Sequence, residues 1–484
     1  MKKNIKRTLI FMQVALMMGF NLSTASVTAD EAAYVSAPKH EAQEVYKLTF
    51  DYLGKDTMPI TGFYCPFTNY QTECINGNAY PNLATEEYYQ MIKDAGVNAV
   101  AVNPEYYMLY PEEVIRQMEV TKNVGMGYFV HDTQIKHAVS KENLKFLLDR
   151  YYTQDNILGA FVRDEPNYKE LTTYHYEEAY EWYRELGQEY GEKYSGRSLC
   201  VNLYPNYANN YSGDGTPMSF EQYCRAYLEL TKAPFLGSDY YCFLGVDSGT
   251  SRCGEYFNFL SIMNSVSDDY KIPFWCFFQT GGQWDQVGKP SVDPYPTEFE
   301  MLWNINTSLA YGCKGIEYFT VQQPTEYSYT DNENQPDFER IGLLGAAGNK
   351  TQWYYYTKKV NSQIAAVDEY LVNATNMGVM TKGYLNPFIP TEDVLSSFRE
   401  LQSIDFSGPV PEQDGVFVGC FDYQGTTMLY VVNASVDDAE TITLNFDNNY
   451  KYQCIQRTVS SEVTGSTVTL DMGAGEAVLV RLLP

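Results

Sequence analysis

Two adjacent carboxylic acids, Asp164 and Glu165, end a short apolar run that begins at Ile157. The run is short and apolar enough to be a strand buried on both faces, and Pro166 has no backbone N–H to continue a ladder. At the carboxyl end of a parallel strand, a partly desolvated carboxylic acid keeps its proton near neutral pH and can donate it to a leaving oxygen. The same residues also fit an Asp-Glu-Pro turn that caps the following helix.

Short apolar segments alternate with longer amphipathic segments around these acids, and the alternation predicts a barrel of parallel strands. The predicted strands cover residues 60–67, 97–102, 125–130, 157–163, 198–203, 235–240, 272–278 and 315–320. The intervening segments have helical spacing, as in residues 86–95, which end at Gly96 as a helix stop. The predicted fold class is α/β, with a TIM (β/α)8 barrel as the catalytic domain over residues 46–375.

The pattern changes after a last predicted helix at residues 352–374. Short alternating strands follow, separated by Asp, Asn and Gly turns, at residues 416–421, 428–433, 442–446 and 477–482. They predict a small all-β sandwich domain over residues 376–484.

The amino-terminal 29 residues have a basic start, an apolar middle and a small-residue end at Val27-Thr28-Ala29. This is the pattern of a secretory signal peptide of bacterial type, and a polar segment follows at residues 30–45. No Cys follows the apolar run, which argues against a lipid anchor, and no other stretch is apolar enough to span a bilayer. We expect a secreted, extracellular protein without membrane insertion.

The chain is strongly acidic, with a formal charge of −27 that becomes −31 once the four basic residues of the signal peptide are removed. Such a surface repels phosphate backbones and anionic lipids, so nucleic acid is excluded as a partner. Neutral or cationic partners are favoured. The 44 Tyr residues offer flat apolar faces with a hydroxyl edge, which suit sugar rings as well as ordinary packing.

The ten Cys and four His show no metal-ligand spacing, so we expect no metal and no cofactor. Most of the Cys residues are expected to be free and buried, as in the apolar runs that hold Cys200 and Cys276. Three pairs remain open as disulfides, namely Cys65 with Cys74, Cys242 with Cys253, and Cys420 with Cys454.

If the predicted strands are right, their carboxyl ends bring many carboxylates and one amide to a single rim. The residues are Glu105, Asp132, Asp164, Glu165, Asp239, Gln279 and Glu317. Hydrolysis of a glycosidic bond needs one protonated acid and a second group that stabilises or attacks the anomeric carbon. Acids at strand ends also cap helices, so we expect about half of them to do only that.

The segment 159–166, Gly-Ala-Phe-Val-Arg-Asp-Glu-Pro, resembles the strand-four motif of TIM-barrel glycoside hydrolases, whose large retaining clan has Asn-Glu-Pro there. Residues 308–319 resemble the passage from the last helix into strand eight of such enzymes, and residues 473–482 resemble their appended β-domains. The resemblance implies a glycosidase that acts on O-glycosidic bonds of an oligosaccharide, polysaccharide or glycoconjugate, with Glu165 as general acid.

Two departures from the motif change the implied mechanism. Strand seven ends in Gln279, where the clan has a nucleophilic Glu, and an amide is a poor nucleophile. Asp164 replaces the usual Asn, which resembles the Asp-Glu pair of hexosaminidase families that use the 2-acetamido group of the substrate as nucleophile. That resemblance implies that Asp164 orients the acetamido group and that Tyr240 holds its carbonyl. The rival hypothesis makes Asp239 or Glu317 the nucleophile or general base.

Further sugar contacts are predicted from aromatic and polar residues near the strand ends. They are Tyr64, Tyr106, Asp132, Gln279 and Trp284. The competing function is a non-catalytic carbohydrate-binding surface protein on a degenerate barrel, which the missing strand-seven carboxylate favours. The sequence leaves the oligomeric state open.

Overall fold

The computed structural model describes residues 49–66, 82–101, 111–173, 176–195, 197–243, 253–280, 296–322, 342–345, 348–383, 400–408 and 415–483. Its larger part is a parallel sheet of eight strands. They are β1 (Ile60–Phe63), β2 (Ala99–Val100), β3 (Gly127–Val130), β4 (Ile157–Asp164), β5 (Ser198–Asn202), β6 (Leu236–Asp239), β7 (Phe274–Gln279) and β8 (Ile316–Phe319). The predicted barrel is therefore confirmed.

The eight strands follow one another around the barrel in chain order. Their order in the sheet is β5-β4-β3-β2-β1-β8-β7-β6. Leu203, just after β5, makes a parallel bridge to Ser238 in β6, which brings the two ends of the sheet together. All eight carboxyl ends therefore lie at one end of the barrel, called the mouth below.

Helices alternate with these strands. They are α1 (Glu86–Asp94), α2 (Pro111–Asn123), α3 (Thr133–Lys136), α4 (Lys141–Leu148), α5 (Tyr168–Thr173), α6 (Tyr176–Tyr190), α7 (Phe220–Thr231), α8 (Cys253–Tyr270), α9 (Glu298–Ala310), α10 (Gln352–Ile364) and α11 (Asp368–Asn373). Gly96 follows α1 with a φ of 87°, a left-handed conformation that glycine adopts without cost. None of the described helices is long and apolar enough to cross a membrane.

The predicted helix at residues 352–374 is wrong in one respect, because the chain forms two helices there. A turn at residues 365–367 separates α10 from α11. Asp368, the first residue of α11, accepts a hydrogen bond from the backbone N–H of Met58 at 3.2 Å. This contact ties the second helix to the segment that leads into β1.

The interior of the barrel is filled by aromatic side chains that alternate with outward-facing residues along the strands. Phe235 and Trp275 stack with their ring centroids 4.4 Å apart, and Phe50 lies 4.9 Å from Trp275. Phe63 packs edge-on against Phe277 nearer the mouth. These rings exclude water from the barrel, so any carboxyl that faces inward is largely desolvated.

An antiparallel sheet of seven strands follows the barrel. Its strands are β9 (Thr375–Gly383), β10 (Leu401–Phe406), β11 (Gly415–Tyr423), β12 (Thr426–Asn433), β13 (Glu440–Gln456), β14 (Val459–Met472) and β15 (Ala477–Leu483). β13 pairs with β10 near its start and with β15 near its end, so the sheet folds over its own apolar core. An all-β domain after the barrel is confirmed, although the sequence pattern missed β9, β10 and β14.

The two domains share a packed interface between α9 and the strands β11 and β12. Asn306 of α9 accepts a hydrogen bond from the hydroxyl of Tyr430 and donates one to the carbonyl of Gly475, both at 2.8 Å. Phe257 of α8 packs against Phe417 with ring centroids 5.1 Å apart. Buried amide hydrogen bonds and aromatic contacts together fix the β-domain on the barrel.

Eight cysteine residues of the described part are buried thiols. They are Cys65, Cys200, Cys224, Cys242, Cys276, Cys313, Cys420 and Cys454. The open pairing of Cys420 with Cys454 is therefore excluded. The side chain of Cys253 lies outside the described residues. Cys74 lies outside the described residues.

Candidate active site

Glu165 sits at the mouth, immediately beyond β4. Its backbone N–H donates to the carbonyl of Asn202 at 2.9 Å, which extends the pairing of β4 with β5 by one residue. Pro166 then ends the ladder because it has no N–H. Glu165 has a φ of 44°, in the left-handed region where non-glycine residues are uncommon and which costs backbone energy. The surrounding contacts therefore hold this carboxyl in a fixed position.

The helix that follows Pro166 is capped by other residues. Asn167 accepts a hydrogen bond from the N–H of Glu170 at 2.9 Å, and Glu170 accepts one from the N–H of Asn167 at 3.0 Å. This reciprocal pair provides acceptors for two backbone N–H groups at the start of α5. The alternative interpretation of Asp164 and Glu165 as a helix cap is therefore wrong, and both acids are available to the mouth.

Asn202, the last residue of β5, connects two of the predicted acids. Its side-chain Nδ2 donates to Oδ1 of Asp164 and to Oδ1 of Asp239, each at 3.0 Å. Asp164 is in register with Asn202, and Asp239 ends β6 on the other side. Glu165 makes a side-chain hydrogen bond with Asp239. Three predicted catalytic carboxyls are thus brought together around one amide.

Burial makes these carboxyls weak acids. It is the largest cause that raises the pKa of Glu165, followed by the negative charges of Asp239 and Asp164. Burial also raises the pKa of Asp239, with a further contribution from the charge of Asp164, while the hydrogen bond from Asn202 opposes the rise. Because Glu165 and Asp239 are hydrogen-bonded carboxyls, they share one proton and titrate as a pair.

Glu317 faces the same interior from a deeper level. It is in register with Thr61 of β1 and with Phe277 of β7, and only 5% of it is exposed. Burial raises the pKa of Glu317 to about 8, and the charge of Asp164 adds to the rise. Glu317 is therefore neutral at neutral pH, and it lies below the three acids of the mouth.

Aromatic side chains surround the acids. The rings of Tyr64 and Tyr241 both lie against Phe319, with centroids 5.7 and 5.6 Å away. The pKa of Tyr241 is raised first by burial and then by the charge of Asp239, which places its hydroxyl beside the acids. Tyr204 is partly exposed, and the charge of Glu165 contributes to its raised pKa. These rings form the apolar wall that a sugar site uses.

The predicted role of Tyr240 requires a correction. Its ring packs outward against Tyr256 and Phe259 of α8, at centroid distances of 5.3 and 5.1 Å. Residues two apart share a face in an extended chain, so Tyr241 is the residue that follows Asp239 into the mouth. That period-two alternation was the signal in the sequence that pointed to Tyr241.

Asp132 requires a correction of the same kind. Its Oδ1 accepts the N–H of Gln134 at 2.9 Å and caps α3, and its Oδ2 accepts the hydroxyl of Tyr151 at 2.5 Å. Both oxygens are occupied by structural contacts, so Asp132 is a helix cap and not a sugar contact.

The remaining predicted residues divide into those the structure places and those it does not describe. Gln279 ends β7 in register with Phe319 and is buried at the mouth. Tyr106, Trp284 and Glu105 lie outside the described residues. Asn202, Tyr241 and Phe319 were missed by the sequence analysis, although each lies at or just beyond a predicted strand end. In the described part of the chain, no group of three or more His, Cys, Asp or Glu side chains could hold a metal ion.

Comparison with known proteins supports the fold of this chain. No family model and no curated protein matches the sequence. Among solved structures, a family 42 β-galactosidase from G. stearothermophilus is similar with a TM-score of 0.52 at 8% identity, over 88% of this chain and 98% of that one. Structural neighbours of the chain are glycoside hydrolases.

Two further matches have TM-scores below 0.5. A β-galactosidase from Marinomonas ef1 has a TM-score of 0.49 at 8% identity and covers 88% of this chain and 100% of that one. A glycoside hydrolase family 5 protein from Bacteroides vulgatus has a TM-score of 0.45 at 8% identity, over 88% of this chain and 89% of that one. At such identities the likeness shows the fold alone, and the family of this chain is not identified.

Proposed function

We propose that this protein is a glycosidase in which Glu165 protonates the leaving oxygen of an O-glycosidic bond. One observation carries the proposal: a partly buried carboxyl with a raised pKa, that of Glu165, lies against a second carboxyl, Asp239, at the mouth of a parallel barrel. Glycoside hydrolysis needs a protonated acid beside a group that stabilises positive charge at the anomeric carbon. Glu165 and Asp239 supply these two properties.

In the proposed reaction the proton of Glu165 moves to the glycosidic oxygen while the bond from that oxygen to the anomeric carbon breaks. Positive charge develops on the sugar ring, and the ionised Asp239 and Asp164 stabilise it. Water later adds to the anomeric carbon and returns a proton to Glu165. No protein group outside this cluster is required for the balance of protons.

The contact between Glu165 and Asp239 favours retention of anomeric configuration. Inverting enzymes keep their two carboxyls roughly 6.5 to 9.5 Å apart to leave room for water, whereas retaining enzymes keep them about 5 Å apart. Hydrogen-bonded carboxyls leave no space for a water between them. The nucleophile is then Asp239 itself or, in the substrate-assisted route, the 2-acetamido oxygen of a sugar oriented by Asp164.

The proposed substrate is a neutral oligosaccharide or glycoconjugate outside the cell. Three aromatic residues at the mouth, Tyr64, Phe319 and Tyr241, provide faces for sugar rings. The predicted signal peptide lies outside the described residues, so export is part of the proposal. Amino-terminal sequencing of protein recovered from the culture medium tests it, and a start near Asp30 is the expected result.

The deciding experiment is hydrolysis of a panel of aryl glycosides and natural glycans, with and without 2-acetamido groups. It compares the wild type with Glu165→Gln and Asp164→Asn, and with Glu221→Gln on the surface of α7 as a matched control. Turnover of 2-acetamido sugars alone, lost in both site variants, supports the substrate-assisted route. Turnover of other sugars, lost in Glu165→Gln, supports Asp239 as nucleophile.

A carbohydrate-binding protein without turnover is the second candidate, and Gln279 is the observation that favours it. This amide ends β7 at the mouth, where the retaining clan has its nucleophile. If calorimetry shows that the wild type binds a glycan but the wild type does not hydrolyse it, this second function is favoured over the proposed glycosidase.

A further inference from the structure

Asn202 is the residue through which the three acids of the mouth are joined. Only 4% of it is exposed, its backbone carbonyl accepts the N–H of Glu165, and its Nδ2 donates to both Asp164 and Asp239. The amide nitrogen carries two hydrogens, and these two bonds use both. We propose that Asn202 is a positioning residue that places the proton of the acid cluster on Glu165; this inference rests on the proposed function.

The chemical reason is the direction of the two hydrogen bonds. A donor that points at a carboxyl oxygen stabilises the ionised form of that acid and disfavours its protonation. Asp164 and Asp239 each receive such a bond, whereas the side chain of Glu165 receives none from Asn202. The proton that the crowded cluster must keep is therefore directed to Glu165.

The electrostatic balance of the cluster agrees with this geometry. The bond from Asn202 lowers the pKa of Asp164 and of Asp239, against the larger rise that burial causes in both. The hydrogen bond between Glu165 and Asp239 raises the pKa of Glu165 and lowers that of Asp239. Both effects favour the proton on Glu165.

Among the described residues, other charged and titratable groups also interact with the acids, and none of them repeats the part of Asn202. They are Arg163 from β4, Glu317 from β8, and Tyr204, Tyr223 and Tyr241 from the loops and helix beyond β5 and β6. Arg163 favours the ionised form of both Asp164 and Glu165, so it does not discriminate between them. Asn202 does, because its side chain donates to the two aspartates and not to the carboxyl of Glu165.

The test is the pH dependence of kcat/KM for Asn202→Ala. Without the two donors, the limb that reports ionisation of the aspartates should move up by about one pH unit, whereas the alkaline limb should stay in place or move up, because loss of a donor to a carboxylate lowers no pKa of the pair. The bell therefore narrows from its acid side. A merely structural role would lower activity without moving either limb, and that result would overturn the inference.

Two further variants keep the test clear if Asn202→Ala folds poorly. Asn202→Thr suits a strand and retains one hydroxyl donor, so a smaller shift of the same sign is expected. Asn433→Ala is the matched control, because Asn433 is a buried asparagine whose amide donates two hydrogen bonds in the β-domain, to the carbonyls of Asp438 and Gly473. It should lose stability while both limbs stay in place.

A readout without catalysis separates this inference from the proposed function. Carbon-13 NMR of Asp- and Glu-labelled protein follows the titration of each carboxyl, and the signal of Glu165 is identified by its loss in Glu165→Gln. In Asn202→Ala the proton should pass in part from the Glu to an Asp signal. If the carboxyl titrations in Asn202→Ala are the same as in the wild type, the inference is overturned. If the proton passes in part to an Asp as expected but the wild type hydrolyses no glycoside, the inference is supported and only the proposed glycosidase function is rejected.

Discussion

The carboxyls of Glu165 and Asp239 lie in hydrogen-bonding contact, one just beyond the end of β4 and the other at the end of β6. Two carboxyls in contact cannot both ionise near neutral pH, because the two charges repel in a desolvated site. The pair therefore holds one proton and one negative charge. Acid catalysis needs the protonated carboxyl and charge stabilisation needs the ionised one, and this pair provides both forms side by side.

The activity should fall on the alkaline side as Glu165 loses its proton. Because burial and the neighbouring carboxylates raise the pKa of Glu165, the protonated form persists through neutral pH, and turnover is lost only as the pH rises through that raised value. Glu165→Gln should cost about 10²- to 10⁴-fold in kcat and remove the alkaline limb. A steady-state pH profile checks this, and a limb that survives in Glu165→Gln would assign the acid to another residue.

Removal of the second carboxyl should separate the two routes of the reaction. If Asp239 is the nucleophile, Asp239→Ala should lose about 10³-fold in kcat, and azide should restore turnover by forming a glycosyl azide of inverted configuration. The configuration is read by NMR of the product. Asp164→Asn under the same conditions is the control, and rescue of neither variant, with turnover confined to 2-acetamido sugars, would support substrate assistance.

Tyr241 and Tyr240 form an adjacent pair that should respond in opposite ways to the same change. Tyr241 lies at the mouth against Phe319, whereas Tyr240 packs against α8. Tyr241→Ala should raise KM because it removes an aromatic face from the site, at about 1–3 kcal/mol of binding. Tyr240→Ala should instead lower the melting temperature with KM unchanged. Kinetics and thermal unfolding on both variants decide, and a KM effect in Tyr240→Ala alone would reverse the assignment.

Glu317 should make the fold less stable as the pH rises. Its pKa is about 8 in the folded protein and 4.5 as its ordinary value, so the folded state holds a proton that the unfolded state releases between these values. The contribution of Glu317 to stability is therefore full below pH 4.5 and falls up to about pH 8, by about 5 kcal/mol. Urea unfolding of the wild type and Glu317→Gln at both ends of this range measures the difference.

The Gln variant should make this slope shallower by the contribution of Glu317, because an amide does not titrate, while Asp164, Glu165 and Asp239, whose pKa values are also raised, keep their contributions. Glu462→Gln, on the exposed part of β14, should keep the slope of the wild type. Activity measured on the same preparations tests the prediction that Glu317 is a catalytic carboxylate, since Glu317→Gln would then be inactive at every pH.

The sequence predicted the barrel because short apolar runs and helical spacing are local signals, which can be recognised without knowing which strands pair. It also identified Asp164, Glu165 and Asp239, which stand at strand ends. It missed Asn202, whose importance arises only when β4, β5 and β6 lie side by side. The outward direction of Tyr240 depended on the register after Asp239. β14 was missed because most of it is exposed, with a buried apolar alternation only at Val468, Leu470 and Met472.

The close approach of Gly419 to α9 should be decisive for the attachment of the β-domain. A Cβ at this position in β11 would lie 2.4 Å from the carbonyl oxygen and 2.7 Å from the Cα of Ala310, and backbone atoms cannot rotate away. Gly419→Ala should therefore force the sheet away from the barrel and cost about 1–3 kcal/mol in the free energy of unfolding. Gly465→Ala in β14 is the matched control, because the nearest atom to its Cβ is an ordinary 3.5 Å away. Equal unfolding midpoints for the two variants would show that the interface between the domains adjusts at Ala310. A loss of stability in Gly419→Ala alone would establish this backbone contact as the point where the β-domain is fixed.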